Sequence, residues 1–251
     1  MTLEEIRQSP DALHHSVLTI DTARRPEVLD RTTLARRVGA PVVKLGLEAL
    51  MSFGPKECSL FAQRQGLRWI ADFKFADIER TNLGAVSSLA KLDYPPVAYT
   101  LHALCGFQSM QTARKIAEDA GIMTMAVAQL TSITDAETRK TFNMPVADLV
   151  LRLAHKAVEA GVTGLVCSAQ ELTIVNADIA TKELFTLVPS TRSLGVIAND
   201  QARIGTPKQA MIDGADLLVL GRQVTDSEDQ LGAYRAFVAE MQLGLNTREV
   251  T

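Results

Sequence analysis

The sequence predicts an α/β protein built as a single (β/α)8 TIM barrel over residues 1–251. Short apolar, β-rich runs alternate with amphipathic segments along the chain, a pattern that favours βα units and a parallel sheet. Eight such units in 251 residues match the typical length of this barrel, ~250 residues. No Pro-, Gly- or Ser-rich linker divides the chain. The predicted strands are 16–21, 41–46, 67–74, 97–102, 122–131, 162–168, 183–189 and 215–221.

Two helical segments between these strands are the clearest. Apolar residues recur at helical spacing in the second half of 136–161, and Gly161 provides a stop. The segment 106–121 also ends in a glycine. A doubly wound open sheet is the rival architecture, but its typical G-x-G-x-x-G turn does not follow the first strand, 16–21. The longest connection, 189–207, precedes the last strand, and a loop of that length is usually functional or mobile.

Composition and charge argue against several classes of partner and location. The formal net charge of −3 offers no general basic surface, so nucleic acid is not an expected partner. No apolar run approaches the ~20 residues of a membrane span. Residues 1–15 are acidic and polar where a signal peptide is basic and then apolar. The three scattered cysteines, Cys58, Cys105 and Cys167, favour reduced buried thiols and a cytoplasmic location.

Charged residues, beginning with Asp21, concentrate at the carboxyl ends of the first three predicted strands, where barrels place their active sites. Asp72 and Lys74 are two residues apart and therefore project to the same side of an extended strand, within reach of Lys44. Asp77 follows in the turn, and two carboxylates ~4 Å apart repel by ~4 kcal/mol at an effective dielectric constant of ~20. A lysine between two acids stays protonated and acts as a proton donor, not as a Schiff-base nucleophile. A structural ion-pair network is the alternative interpretation.

A second group of residues is typical of phosphate binding. Gly221 and Arg222 follow the eighth strand, and barrels often bind phosphate with the loops after strands seven and eight. The glycine permits close backbone approach, and the arginine offers paired donors to a phosphate oxygen edge. Gln201 and Arg203 lie in the preceding loop, where we expect them to fold over the anion. An ordinary solvated arginine is the alternative, but within a barrel the pattern indicates a phosphorylated small molecule.

The chain resembles a known enzyme family, the orotidine 5′-monophosphate decarboxylases. The family signature D-x-K-x-x-D-I-x-x-T stands here as Asp72, Lys74, Asp77, Ile78 and Thr81. The resemblance covers nearly the whole chain and includes "TID", "KLGLE", "LTS", "DQARIGTP" and "LGR" at or near strand ends. It implies the conversion of orotidine 5′-monophosphate to uridine 5′-monophosphate and CO2 in pyrimidine biosynthesis, with neither metal nor cofactor.

The resemblance also implies roles for the matching residues. Asp72 would crowd the substrate carboxylate, and Lys74 would protonate carbon six as CO2 departs. Lys44 would pair with Asp72 and contact the ribose. Asp21 would also contact the ribose. With Lys74 as donor, His102 at the end of the fourth strand is left an orienting or structural role.

Further implied contacts involve a second subunit and the rest of the substrate. Each subunit would contribute Asp77, Ile78 and Thr81 to the site of its neighbour, so the active enzyme would be a homodimer. The remaining contacts would be Ser132 with the pyrimidine, Gln201, Gly221 and Arg222 with the phosphate, and Pro189 at the end of strand seven with the substrate.

Two residues depart from the family pattern. Ser190 stands in "PSTR" where many members have the glycine of P-G-I-R, and Gln223 stands where many have proline. Because serine lacks the freedom of glycine, we expect the start of the loop to run differently and the position of Gln201 to be affected.

Two other functions are weighed. Magnesium-dependent sugar-phosphate enzymes share D-x-K-x-x-D but usually place a metal-binding Glu where Lys44 stands, and a lysine there repels a cation. A non-catalytic phosphate-binding barrel does not require the whole charged array and ranks last.

Overall fold

Eight parallel strands close into a barrel in the computed structural model, which describes residues 2–194, 203 and 205–248. The strands are β1 (Ser16–Ile20), β2 (Val42–Leu45), β3 (Arg68–Phe75), β4 (Ala98–His102), β5 (Met123–Val127), β6 (Gly164–Val166), β7 (Phe185–Val188) and β8 (Leu217–Leu220). Each strand pairs with the next, and β8 closes the sheet on β1, with Val17 opposite both Val42 and Val219. The predicted (β/α)8 barrel is confirmed.

Helices follow the strands and surround the barrel. The described α-helices are α1 (Leu3–Arg7), α2 (Arg25–Val38), α3 (Leu47–Arg64), α4 (Glu79–Ala90), α5 (Phe107–Asp119), α6 (Asp135–Phe142), α7 (Val146–Glu159), α8 (Leu172–Ala177), α9 (Pro207–Ile212), α10 (Arg222–Thr225) and α11 (Gln230–Arg248). Short 3₁₀ helices span Ala12–His15, Ala103–Cys105 and Ala169–Glu171. None of these helices is both long and apolar enough to cross a membrane.

Alternating side chains of the strands build two separate parts of the core. One set faces the barrel interior and forms its own cluster, to which α1 adds Leu3 and Ile6. The other set, which includes Leu18, Val43 and Trp69, packs against the surrounding helices in the larger cluster. Because side chains alternate along a strand, the residues that continue the interior set toward the carboxyl ends all point into the barrel mouth.

Two predicted elements differ from the structure. The predicted helix 136–161 is two helices, α6 and α7, because Asn143 adopts a left-handed conformation with φ 55° and Pro145 follows. A proline restricts the residue before it to extended conformations, which prevents a continuous helix. The fifth strand ends at Val127 and not at residue 131, since the chain turns after Ala128 donates a last hydrogen bond to Val166 O.

Candidate active site

A cavity of about 560 Å³ opens at the carboxyl ends of the strands. Seven of the predicted site residues line it: Asp21, Lys44, Asp72, Lys74, Pro189, Gly221 and Arg222. Of the other predicted site residues, Gln201 lies outside the described residues, while Asp77, Ile78, Thr81 and Ser132 are exposed and do not line the cavity. The structure therefore brings the strand-end residues together in the cavity and leaves the four exposed residues outside its lining.

The charged centre of the cavity is one carboxylate held by two lysines. Asp72 Oδ2 lies 2.6 Å from Lys44 Nζ and 2.9 Å from Lys74 Nζ. Burial alone would raise the pKa of Asp72, but the two ammonium groups outweigh burial and hold that pKa well below its usual range. Asp72 is 6% exposed, so the site contains a carboxylate that is ionised at neutral pH and nearly shielded from water.

The two lysines differ in their access to the cavity. The side chain of Lys44 is 11% exposed, whereas that of Lys74 is 38% exposed. Within the described residues, the salt bridge of Lys74 is with Asp72, and the same chain's Asp77 is not brought to it. Lys44 therefore serves mainly as a buried counter-ion, and Lys74 presents an ammonium group to whatever occupies the cavity.

The backbone conformation that brings Lys74 to Asp72 differs from the extended strand that the sequence predicts. Its φ is 53°, in the left-handed region, and the pairing of β3 with β4 shifts register between Ala71 and Phe75. The prediction of a regular extended strand is wrong here, because the strand bulges at this point. A non-glycine residue in this conformation costs about 1–2 kcal/mol, and bulges often redirect a side chain next to an active site.

Asp21 lies beside the amino end of α3. Its Oδ1 accepts hydrogen bonds from the backbone N–H groups of Glu48 at 2.8 Å and Ala49 at 3.3 Å. A side chain at Gly46 would collide with this carboxylate, so the glycine of "KLGLE" is needed for the close approach. The helix end fixes one carboxylate oxygen and leaves Asp21 on the cavity wall.

The wall across the barrel mouth from β3 is formed by the ends of β7 and β8. Pro189, Gly221 and Arg222 line it as predicted, and the buried Arg192 lines it as well. The sequence reasoning missed Arg192, although the "PSTR" run that contains it had been compared with the family pattern. Two arginines on one wall suit an anionic group.

Both departures from the family pattern take part in hydrogen bonds that hold this wall. Ser190 adopts φ 66°, so the serine takes up the left-handed conformation that a glycine favours, and its Oγ lies 2.7 Å from Thr131 Oγ1. Gln223 binds Ser193 twice, through the backbone N–H at 3.0 Å and the hydroxyl at 2.7 Å. Ser190 thus occupies the region of φ that glycine favours, and the expectation that the loop starts differently from that of other members stays a prediction.

Arg203 is not placed to fold over an anion, contrary to the sequence-based expectation. It is 4% exposed and points into the protein, where Nη1 lies 2.6 Å from Glu171 Oε1. Its Nη2 donates to the carbonyl oxygens of Gln129 and Leu130 at 3.1 and 2.9 Å. The residue thus anchors the end of the 189–207 loop to the loops after β5 and β6.

Two polar residues near strand ends, Ser132 and His102, do not line the cavity. Ser132 is exposed, whereas its neighbour Thr131 lines the cavity. His102 Nδ1 accepts a hydrogen bond from Leu104 N at 3.3 Å and so caps a short helix. Burial and the nearby Lys74 lower the pKa of His102, which favours the neutral ring that this capping bond requires.

Comparison with known proteins identifies the family. The model of the "Orotidine 5'-phosphate decarboxylase / HUMPS family" matches residues 16–237. The chain belongs to this family. A Thermobifida fusca protein named orotidine 5′-phosphate decarboxylase is 36% identical over 217 residues, which are 86% of this chain and 91% of that protein. A protein of the same name from Rhodospirillum rubrum is 34% identical over 251 residues, covering 96% of this chain and 97% of its own.

A solved structure extends the family likeness to three dimensions. The crystal structure of orotidine 5′-phosphate decarboxylase from Lactobacillus acidophilus matches with a TM-score of 0.72 at 26% identity, covering 91% of this chain and 99% of that chain. Membership of the orotidine 5′-phosphate decarboxylase / HUMPS family confirms the prediction that the chain is an enzyme. The non-catalytic binding barrel is left without support.

The depressed pKa of Asp72 predicts a pH-dependent loss of stability. We expect Asp72→Asn to lower the free energy of unfolding at pH 7 by about 3–5 kcal/mol, because two adjacent ammonium groups lose their shared counter-ion. A carboxylate whose pKa falls on folding stabilises the protein above its unfolded pKa of ~3.9 and less as pH falls toward the folded value. The difference in free energy of unfolding between wild type and Asp72→Asn should therefore become smaller below about pH 4. Urea denaturation at pH 7, 5 and 3.5 measures it.

Glu118→Gln is the matched control, since the Glu118 side chain is 60% exposed and pairs with Arg114 on the surface of α5. That variant should change the free energy of unfolding by less than about 1 kcal/mol at every pH. A wild-type advantage over Asp72→Asn that stays constant or grows toward acid pH would contradict the assignment of Asp72 as the ionised centre.

Proposed function

We propose that the protein is an orotidine 5′-phosphate decarboxylase, which releases CO2 from carbon six of the pyrimidine of orotidine 5′-monophosphate. The observation that carries the proposal is Asp72, a buried carboxylate kept ionised by Lys44 and Lys74 at the wall of a cavity. Family membership and relatives that bear this enzyme's name support it. The cavity then binds an anionic nucleotide whose own carboxylate meets a fixed negative charge.

Charge repulsion and its relief account for the chemical step. A substrate carboxylate ~4 Å from Asp72 is repelled by ~4 kcal/mol at an effective dielectric constant of ~20, and this repulsion disappears when neutral CO2 leaves. As the carbon–carbon bond breaks, its electron pair stays on carbon six. Lys74 then transfers a proton to that carbon, since its ammonium group is adjacent to Asp72 and the more open of the two lysines. The product is uridine 5′-monophosphate.

The remaining cavity residues bind the parts of the substrate remote from the reacting carbon. We assign the ribose to Asp21 and Lys44, and the phosphate to Gly221 and Arg222, all of which line the cavity. Gln201 is proposed for the phosphate and Ser132 for the pyrimidine on sequence resemblance alone. Pro189, which lines the cavity, is proposed as a further substrate contact. Binding at these remote groups can be used to hold the carboxylate against Asp72.

The chemistry proposed here uses no metal ion. In a magnesium-dependent sugar-phosphate enzyme, Asp72 would have to bind the cation. Its Oδ2 already accepts hydrogen bonds from two ammonium groups, at 2.6 and 2.9 Å, so a divalent cation at that oxygen would meet two positive charges. This repulsion favours the decarboxylase over the sugar-phosphate alternative.

The homodimer belongs to the same proposal. Asp77 and Thr81 are exposed beside the cavity-bearing end of β3, and Ile78 between them is 69% exposed. An exposed isoleucine next to a carboxylate suits a surface that a second copy covers. In that arrangement Asp77 of one subunit enters the site of the other. There it adds a second negative charge near the lysine at position 74 of that other subunit. A cytoplasmic location stays a prediction of the sequence.

The proposed activity is tested by following the ultraviolet absorbance of orotidine 5′-monophosphate mixed with the purified protein. The orotate band should disappear, and the rate should be the same with and without excess EDTA, because no step uses a metal. A protein that is folded but leaves the band unchanged would remove the proposal and direct the search to sugar phosphates with magnesium. A rate abolished by EDTA and restored by magnesium would contradict the metal-free step.

Removal of the proposed proton donor separates chemistry from binding. We expect Lys74→Ala to lower kcat by at least about 10³-fold while uridine 5′-monophosphate still binds within about tenfold of its wild-type affinity, because the phosphate contacts lie on the other wall. Steady-state kinetics and calorimetric titration measure the two quantities. Substantial turnover in the variant would remove Lys74 from its role.

Mixed dimers test the shared site. Asp72→Ala and Asp77→Ala homodimers should each be inactive, but a heterodimer of the two contains one site in which both acids are intact. An equal mixture after subunit exchange should regain about one quarter of wild-type activity, since half of the dimers are mixed and one of their two sites is complete. Mass spectrometry confirms the exchange. No recovery in exchanged samples would show that Asp77 acts within its own chain.

A further inference from the structure

A single hydroxyl joins Asp72 to the backbone of Lys74. Thr100 lies in β4, is fully buried, and has its Oγ1 2.9 Å from Asp72 Oδ1 and 2.9 Å from Lys74 N. A threonine hydroxyl has one proton and two lone pairs. It therefore donates its proton to the carboxylate and accepts one from the lysine backbone N–H.

The hydroxyl stands at the point where the pairing of β3 with β4 is interrupted. Ala71 is opposite Tyr99 and Phe75 is opposite Leu101, so the three residues from Asp72 to Lys74 lie opposite Thr100 alone. In a regular parallel ladder, backbone carbonyl oxygens of the neighbouring strand accept from the strand's N–H groups. Here the side chain of Thr100 takes that place for Lys74 N, the residue whose φ is 53°.

The same contact fixes the rotation of the carboxylate. Both lysines bind Asp72 Oδ2, and within residues 2–194, 203 and 205–248 the hydrogen-bond partner of Oδ1 is Thr100. Lys74 N–H, the hydroxyl and the carboxylate form a chain in which each hydrogen bond polarises the next. Without the hydroxyl, Oδ1 and Lys74 N would each lose the side-chain hydrogen bond that the described part of the chain gives them.

We propose that Thr100 is a positioning residue for the decarboxylation. Its hydroxyl orients the Asp72 carboxylate and holds the Lys74 backbone in the left-handed conformation that directs Nζ toward Oδ2. The inference rests on the proposed function and deepens it, because it names the group that sets the distance between the repelling carboxylate and the proton donor. Thr100 touches neither substrate nor reacting carbon in this role.

Four variants test the proposal. Thr100→Val removes the hydroxyl at nearly constant volume, Thr100→Ala removes it without branching, and Thr100→Ser restores it. The matched control is Thr124→Val, because Thr124 is a buried threonine on the next strand, β5, whose hydroxyl binds Tyr99 Oη at 3.2 Å outside the cavity lining. For each variant, kcat and KM for orotidine 5′-monophosphate and the affinity for uridine 5′-monophosphate are measured.

We expect Thr100→Val and Thr100→Ala to lower kcat about 10–100-fold, which corresponds to a lost hydrogen bond to a charged group. KM and product affinity should stay within about threefold, because the phosphate and ribose contacts remain. Thr100→Ser should return kcat to within about fivefold of wild type, and Thr124→Val should change it less than about twofold.

A crystal structure of Thr100→Val reports on positioning without reference to activity, and in it Lys74 should leave the left-handed region. Wild-type kcat in that variant, an equal loss in Thr100→Ser, or an equal loss in Thr124→Val would each overturn the proposal. If the valine variant does not fold, the alanine variant decides by the same criteria. A wild-type protein that does not decarboxylate the substrate is a failure of the proposed function, and the crystal structure then decides on the positioning role separately.

Discussion

Asp72 keeps its negative charge inside the barrel, where burial alone would favour the neutral acid. Adjacent strands supply the groups that prevent this: β2 provides Lys44, β3 provides Lys74, and β4 provides Thr100. Each contact depends on the parallel register, in which Lys44 lies opposite Ile70 of β3. A slip of one residue would turn Lys44 toward the helices and leave the carboxylate short of a counter-ion. The closed sheet is therefore required to keep Asp72 ionised, and the proposed chemistry in turn requires the ionised Asp72.

Backbone strain is concentrated around the same cavity. Among the described residues, three that are not glycine have positive φ: Lys74, Ser190 and Asn143. Asn143 ends a helix, a position that asparagine tolerates well. The other two line the cavity, and each is held by a threonine hydroxyl: Lys74 N donates to Thr100 Oγ1, and Ser190 Oγ shares a hydrogen bond with Thr131 Oγ1. Strain of this kind persists where neighbouring groups determine the conformation, as they do here.

The repeating features of the fold and the strand-end residues of the site were predictable from the sequence, whereas contacts between distant segments were not. Strand and helix periodicity is local, so the eight strands follow from spacing. The cluster of Lys44, Asp72 and Lys74 follows from the predicted fold, because neighbouring parallel strands end at the same face of the barrel. The bulge at Lys74 depends on how β3 meets Thr100 across the sheet. The burial of Arg203 depends on Glu171, which is 32 residues away. Nothing in the local pattern distinguishes an arginine that binds an anion from one that anchors a loop.

The two walls of the cavity are built differently, and this bears on the chain's departures from its family. The charged wall is made of strand residues whose positions the barrel register fixes. The opposite wall is held by loop contacts, among them the bridge between Thr191 and Gly205 and the hydrogen bonds of Gln223 to Ser193. Both departures, Ser190 and Gln223, fall in the loop wall. Binding energy from remote groups can be altered without changing the groups that act on the reacting carbon. This chain's two departures therefore lie in the loop wall, outside the contacts that hold Asp72 between Lys44 and Lys74.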